Sequence, residues 1–367
     1  MLRGFWAIVF KEGVQIRRDP STRFVFLIPA LQTIIFGFAI DMDVQHIPTV
    51  VFDMDRSVES RRLIESFQNT GTFDILREVQ GEKTIREEII AGTAKVGILI
   101  PPDYSSSVLS GKQATVQVLV DGSDSTVATN AVQTSLGVGQ VYSLNRAGIP
   151  AGERGLDVRP WVLFNPDLES SHFYVPGIIG IILQIVTVFL TAFAIVRERE
   201  RGTLEQLAVT PVSKWALILG KLLPYSIIGI GQTLFVLLLM RYVFLIPIEG
   251  DLALLMSLSI LFLLPALSMG ILVSTVSHTQ AQATQIGLLV MLPSVLLSGF
   301  AFPRETMPLP IYLITFLIPV TYYVQILRGI ILRGADFLAL WPQTAALAAF
   351  TVVLVVLSSL RFQKRMG

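Results

Sequence analysis

The side chains that could carry chemistry are few, and their spacing argues against most reactions. The sequence holds no cysteine. That removes disulfides, a thiol nucleophile, and cysteine-ligated zinc or iron–sulfur centres. Three histidines, His46, His172 and His278, stand far apart, a poor start for a metal site. Serines and carboxylates are common, but no histidine stands at a spacing that marks a nucleophile with its base. No glycine-rich phosphate loop is present. The nearest fragment, Leu219-Gly220-Lys221, lacks both the upstream glycine and the following hydroxyl residue that a phosphate cradle needs. What remains is a run of alternating charge, Arg197-Glu198-Arg199-Glu200-Arg201-Gly202-Thr203-Leu204-Glu205. Alternation prevents self-repulsion, so the run can continue a helix with pairing at i,i+4. Gly202-Thr203 permits a turn, and Leu204 and Leu207 then offer a short apolar edge beside Glu205. The run is either a solvated connector or a docking helix presented to a partner.

The second polar feature is a stripe, Gln184, Thr187 and Thr191, at i, i+3 and i+7 of an apolar segment. Gln32, Thr33, Gln232 and Thr233 are similarly placed. Such residues either line a pathway or hydrogen-bond between helices, worth about 1 kcal/mol each. Ionisable residues are nearly absent from the apolar segments. Lys221 is the main exception, near one segment end where its stem can snorkel. An ion-coupled transporter would keep carboxylates at the midplane.

The elements that must position these residues follow from composition. Of 367 residues, 52% are hydrophobic and only 15% charged, against about 25% charged in soluble domains. The average hides two materials. Residues 41–172 carry 18 acidic and 11 basic side chains, a charge of −7, while the remainder carries 9 and 17, a charge of +8. A net charge of +1 also argues against nucleic acid as a partner.

Residues 3–18 pattern as a basic amphipathic helix at a membrane surface, broken at Asp19-Pro20. Apolar runs follow at 24–40, 173–196, 215–240, 252–276, 286–302 and 344–360, each long enough to cross a hydrocarbon core. The 24–40 run is too long for a signal peptide and lacks a cleavage site. A further run, 309–327, carries Pro310 and Pro319. Counted as a span, it would put the two basic ends on opposite sides of the membrane. It is therefore read as a re-entrant or interfacial hairpin. Twelve basic residues in the N-terminal arm, the loop after 196 and the tail put both ends in the cytoplasm and the acidic insert outside. Arg304, Arg328 and Arg333 are a mild counter-signal on the outer side.

Within the insert, strands are predicted at 48–52, 96–100 and 115–120, with helices at 58–67 and 125–146. The fold class is thus an α-helical polytopic membrane protein with six transmembrane helices and an α/β extracytoplasmic domain between the first and second spans. The expected divisions are an interfacial connecting helix at 1–23, the first span at 24–40 and the external domain at 41–172. The remaining spans occupy 173–367, with a cytoplasmic loop at 197–214 and an outer hairpin at 303–340.

Five segments carry a resemblance. Residues 197–221, RERERGTLEQLAVTPVSKWALILGK, resemble the coupling loop of type-2 ABC exporter membrane subunits. Residues 11–40 resemble that family's connecting helix and first span. Residues 50–67 and 94–125 resemble the large external domain of its multidrug-exporter-like branch. Residues 296–334 resemble its re-entrant hairpin. Together they cover essentially the whole chain in order.

The resemblance implies a permease that pairs with an identical or paralogous second permease in the lipid bilayer and docks a separate ABC ATPase subunit. ATP and Mg would sit on that ATPase, with no cofactor in this chain. It assigns ATPase coupling to Glu198, Arg199, Glu200, Arg201, Gly202, Thr203 and Glu205. It assigns the connecting helix to Lys11, Glu12, Arg17, Arg18 and Asp19, and a smaller contact to the turn at His278-Thr279-Gln280. A periplasmic adaptor is a further candidate partner, and the bacterial inner membrane the expected location. Leu109-Ser110-Gly111-Lys112-Gln113 is superficially similar to an ABC ATPase signature, but without a phosphate loop a polar turn before a strand explains it better. The competing reading is a membrane-anchored sensor whose acidic external domain binds a ligand.

Overall fold

The protein's structure, a computed structural model, describes residues 44–147, 155–202, 214–304 and 307–363. The connecting helix and the first span expected at 24–40 lie outside them.

The acidic insert builds a five-stranded sheet. Its elements run β1 (Ile47–Asp53), α1 (Val58–Gln68), β2 (Phe73–Glu78), α2 (Glu82–Ala91), β3 (Val96–Ile100), α3 (Tyr104–Leu109), β4 (Ala114–Asp121), α4 (Ser125–Ala147) and β5 (Leu156–Leu163). The sheet order is β2-β1-β3-β4-β5. All neighbours are parallel except β3 and β4. The central strands β1, β3 and β4 are apolar because helices cover both faces. Leu63 and Phe67 of α1, Tyr104 of α3 and Val127 and Ala131 of α4 pack on one face against Val51, Ile98 and Val118. Ile85 and Ile89 of α2 cover the other, against Val50 and Leu119.

The strand and helix positions expected from the sequence are present, extended by a residue or two. Four elements escape that reading. β2 and β5 are edge strands, and edges tolerate the charges of Asp74 and Arg77 and the ring of Pro160 that disguise them. Residues 82–91 (α2) alternate charge on their exposed face, and 104–109 (α3) is a bare turn and a half. The polar turn at Ser110-Gly111 precedes β4 as expected, with Gly111 at φ +69°.

Local chemistry sets the helix starts. Ser57 accepts from Ser60 N while Ser60 Oγ accepts from Ser57 N, a reciprocal cap of α1. Ser60 Oγ in turn donates to Asp53 Oδ2 at 2.6 Å. Asp124 Oδ1 accepts from the backbone N–H groups of Thr126 and Val127 and so caps α4.

Among the described residues seven helices follow: α5 (Ser170–Glu200), α6 (Lys214–Tyr242), α7 (Leu252–Val276), α8 (Gln280–Leu297), α9 (Leu309–Thr315), α10 (Pro319–Arg333) and α11 (Trp341–Gln363). Five of them, α5, α6, α7, α8 and α11, are long and apolar enough to cross a membrane, matching the five expected runs from 173 onward. The 309–327 run is two helices, α9 and α10, bent by 80° at a short break. The proline at the first turn of α10 starts a new helix there rather than continuing the old one.

α5 is the hub of this bundle, contacting α6, α7, α8 and α10. The core comprises Ile179 and Leu183 of α5, Phe262 and Leu263 of α7, and Tyr323, Val324 and Leu327 of α10. Phe262 and Tyr323 stack with centroids 4.2 Å apart, and Tyr323 donates to Ser259 Oγ at 2.6 Å. α6 and α11 instead turn apolar side chains outward, including Phe235 and Leu238 on one and Val352 and Val356 on the other. That pattern suits contact with acyl chains or a second membrane protein.

Candidate functional site

The alternating charges sit at the end of α5 away from the sheet domain, where the turn from α7 to α8 meets them. Arg199 Nη1 donates to the carbonyl oxygens of Ser274 and Ser277 at 2.7 and 2.5 Å. Those carbonyls end α7, where no further turn exists to bond them and the helix dipole favours a cation. Glu200 accepts from the backbone N and side-chain Nε2 of Gln280, at 2.8 and 2.7 Å. Gln280 opens α8, where the dipole favours an anion. Neighbouring charges of opposite sign are thus matched to the C-terminus of one helix and the N-terminus of the next.

The sequence suggested pairing along a single helix. For Arg199 and Glu200 the partners instead lie about 80 positions further on, where backbone acceptors leave no sequence signature. Arg197, Arg201 and Gly202 are exposed, and Glu198 is half-buried. Gly202 has φ +70°, which a side chain rarely adopts, so the chain turns sharply there. Thr203 and Glu205 lie outside the described residues, as do Lys11, Glu12, Arg17, Arg18 and Asp19. The turn His278-Thr279-Gln280 is held by Thr279, whose hydroxyl accepts from Gln282 N, and by Gln282 Oε1, which accepts from His278 N. The structure therefore joins two of the expected contact regions, the end of α5 and the α7–α8 turn, into one unit.

The polar stripe lies mid-bundle. Gln184, Thr187 and Thr191 are each 1% exposed. Gln184 Nε2 stands 3.5 Å from Ser294 Oγ of α8 and 3.8 Å from Met269 Sδ of α7. The Thr191 side chain meets Gly270 of α7, where a Cβ would come within 2.6 Å of Thr191 Cβ. Gln184 and Thr191 thus face neighbouring helices, while the buried hydroxyls of Thr187 and Thr191 have no hydrogen-bond partner among the described residues. Thr233 of α6 is likewise buried and donates to its own helix at Gly229 O.

At the domain end, the three arginines that ran against the charge rule all hold protein groups. Arg304 donates to Thr315 Oγ1 at 2.9 Å and lies over the rings of Tyr312 and Phe316, at 5.0 and 4.6 Å. Arg328 donates to the carbonyls of Phe173, Gly299 and Phe300 and stands 3.8 Å from the Phe173 ring. Arg333 faces the sheet domain, 3.5 Å from Asp121 Oδ2. A count of basic residues cannot distinguish such internal partners from exposed charge.

Known proteins resemble this chain over nearly its whole length. The family described as ABC-2 family transporter protein matches residues 20–360. The chain is 32% identical to the probable multidrug ABC transporter permease YbhS of Escherichia coli K12, over 98% of this chain and 97% of that protein. It is 31% identical to the probable multidrug ABC transporter permease YbhR of the same organism, over 96% of each. It is 30% identical to that organism's inner membrane transport permease YhhJ, over 87% of this chain and 86% of the relative.

Proposed function

We propose, from the premise that this chain belongs to the ABC-2 transporter family and is the multi-pass membrane permease of an ABC transporter, that it exports lipophilic or amphipathic small molecules. Drug-like compounds and lipids are the cargo class. Export would be powered by a separate ATPase subunit holding ATP and Mg, beneath a pair of permeases, identical or paralogous. The chain would lie in a bacterial inner membrane with both ends cytoplasmic and the sheet domain outside.

One observation carries the mechanism. Arg199 and Glu200 tie the end of α5 to both sides of the α7–α8 turn. A push on the exposed residues beyond Glu200 would therefore be delivered to α5, α7 and α8 together. The stripe at Gln184, Thr187 and Thr191 would lie at the heart of the moving seam, and scarce charge in the spans suits apolar cargo.

The test is purification from native membranes in mild detergent, with ATPase activity measured on the eluate. A co-purifying ATPase is expected. In a Glu200→Lys variant the contact with Gln280 is lost and a cation faces the N-terminus of α8, so hydrolysis should persist while cargo efflux falls severalfold. Permease that elutes folded and without ATPase would overturn the reading.

A second variant separates pathway from packing. Gln184→Leu should accumulate normally and keep its efflux, since Gln184 sits between helices and its interhelical bond is worth about 1 kcal/mol. Efflux lost at normal membrane levels would make Gln184 a pathway residue.

A further inference from the structure

Between the sheet domain and the bent pair α9–α10 lies a cavity of about 590 Å³. Gly92 and Lys95 line it from the sheet domain, and Leu309, Tyr312 and Arg333 from the helices. One end of it holds a buried group of three charges. Asp121, at the end of β4, is fully buried and accepts from Lys95 Nζ at 2.8 Å and from Ser123 N at 3.0 Å. The antiparallel register of β3 and β4 places Lys95 beside it. Arg333, the last residue of α10, approaches the same carboxylate at 3.5 Å with a side chain only 5% exposed. Burial pushes the Asp121 carboxyl up, but the charges of Lys95 and Arg333 and the bonds from Lys95 and Ser123 outweigh it. Its pKa is held at about 2.

The cluster does not balance. Two cations share one carboxylate, and Lys95 and Ser123 already satisfy that carboxylate at short distance. A guanidinium has five N–H donors. Among the described residues, Arg333 makes one ion pair, at 3.5 Å, and its buried Nε has no hydrogen-bond partner. Of the acidic residues on the cavity wall, Asp124 is committed to capping α4 and Asp74 is exposed on the edge strand β2. A buried cation held this loosely is costly unless a further anion reaches it.

Space is kept for the guanidinium by a glycine. Gly92 has φ +76°, and a Cβ there would stand 2.8 Å from Arg333 Nη1. On the helix side the cavity wall continues into an apolar surface. Leu309 is 70% exposed, and Leu313, Ile314 and Leu317 extend the apolar surface of α9 and the break after it.

We propose that this cavity binds the anionic, phosphate-bearing headgroup of an amphiphile, with Arg333 and Lys95 holding the phosphate and the acyl chains lying along α9. A planar guanidinium matches phosphate oxygens with two parallel donors. The proposal rests on the permease reading only in placing α9 beside the outer leaflet. Its test involves no ATPase and no transport, so its failure leaves that reading standing.

The test is native mass spectrometry of the full chain in detergent. Phosphatidylglycerol, phosphatidylcholine with the same acyl chains, and inorganic phosphate serve as probes. The wild type should retain one phosphatidylglycerol per chain, with about tenfold preference over phosphatidylcholine, a difference of about 1.4 kcal/mol. Arg333→Gln should abolish the preference and Arg333→Lys should keep part of it. Lys112→Gln, an exposed cation outside the cavity, should leave it unchanged. Leu309→Asn changes only an exposed residue and adds no charge, so it tests the apolar contact even if the Arg333 variants fold poorly. It should weaken lipid retention without affecting phosphate. Equal retention of the two lipids by the wild type, or an intact preference in Arg333→Gln, would overturn the proposal. Phosphate binding with no effect of Leu309→Asn on the lipid would overturn the lipid assignment and leave a site for free phosphate.

Discussion

Gly270→Val will prevent α5 and α7 from closing on one another, and the protein will fail to accumulate in membranes. At Gly270 a Cβ would stand 2.6 Å from Thr191 Cβ and 2.8 Å from the Val188 carbonyl oxygen. Neither can move away cheaply, because Val188 belongs to the α5 backbone and Thr191 is fully enclosed. Lipid tails provide no hydrophobic drive between helices, so association depends on this close fit. Overpacking a tight core with extra carbons costs about 1–3 kcal/mol, and more where backbone blocks the way. Valine adds three carbons on the contact side, against a total stability of about 5–15 kcal/mol. Gly231→Val is the control. It makes the same substitution on α6, where nothing lies within 4 Å of the new Cβ. Size-exclusion profiles of the two variants should show monodisperse protein for Gly231→Val and aggregate for Gly270→Val. Equal profiles would mean that the α5–α7 seam tolerates far more separation than the structure implies.

The second large effect is expected at Arg328. Its guanidinium joins three segments: the start of α5 through Phe173 O, the chain after α8 through Gly299 O and Phe300 O, and its own helix α10. Arg328→Met keeps much of the volume and removes every donor. Hydrogen bonds to charged groups contribute roughly 1.5–3 kcal/mol each, so losing two or more would remove about 3–6 kcal/mol. The bent pair should then detach first, as protease sensitivity around residues 300–318 well below the melting of α5 and α7. Arg328→Lys should fall between, since an ammonium can satisfy some of the carbonyls without spanning all three segments. A wild-type proteolysis pattern in Arg328→Met would show that packing alone holds the bend.

The two variants also mark the boundary of what the sequence discloses. α5, α7 and α8 are legible because their apolar runs are long and are ended by charge at Arg197 or by the polar turn Ser277-His278-Thr279. β3 is legible to the residue because a central strand covered on both faces must be apolar throughout. β2 and β5 are hidden because an edge strand is free to carry Arg77 or Pro160. The bend at α9–α10 is suggested by its prolines, although its 80° angle and the seating of Tyr323 against Ser259, 64 positions away, are not. The site divides in the same way. The alternating charges announce themselves, but their partners are helix-end carbonyls and one glutamine, residue types found everywhere. Arg304, Arg328 and Arg333 look like exposed charge until the hydroxyl, carbonyls and carboxylate they meet are seen. Gly270 gives no sign of what it faces.

One further consequence follows from the length of α5. Past Pro176 the helix continues without a break to Glu200, a rod of roughly 36 Å at 1.5 Å per residue. Pivoted about its middle by about 10°, a rod of that length swings each tip by about 3 Å, as far as a hydrogen bond is long. At one end are the bonds of Arg199 and Glu200, and at the other the ring and carbonyl of Phe173 under Arg328. A tilt small enough to leave the middle of the seam packed is therefore large enough to force both ends to exchange partners in the same stroke. α5 is thus shaped as a lever with a latch at each tip, and such a tilt would release both latches together.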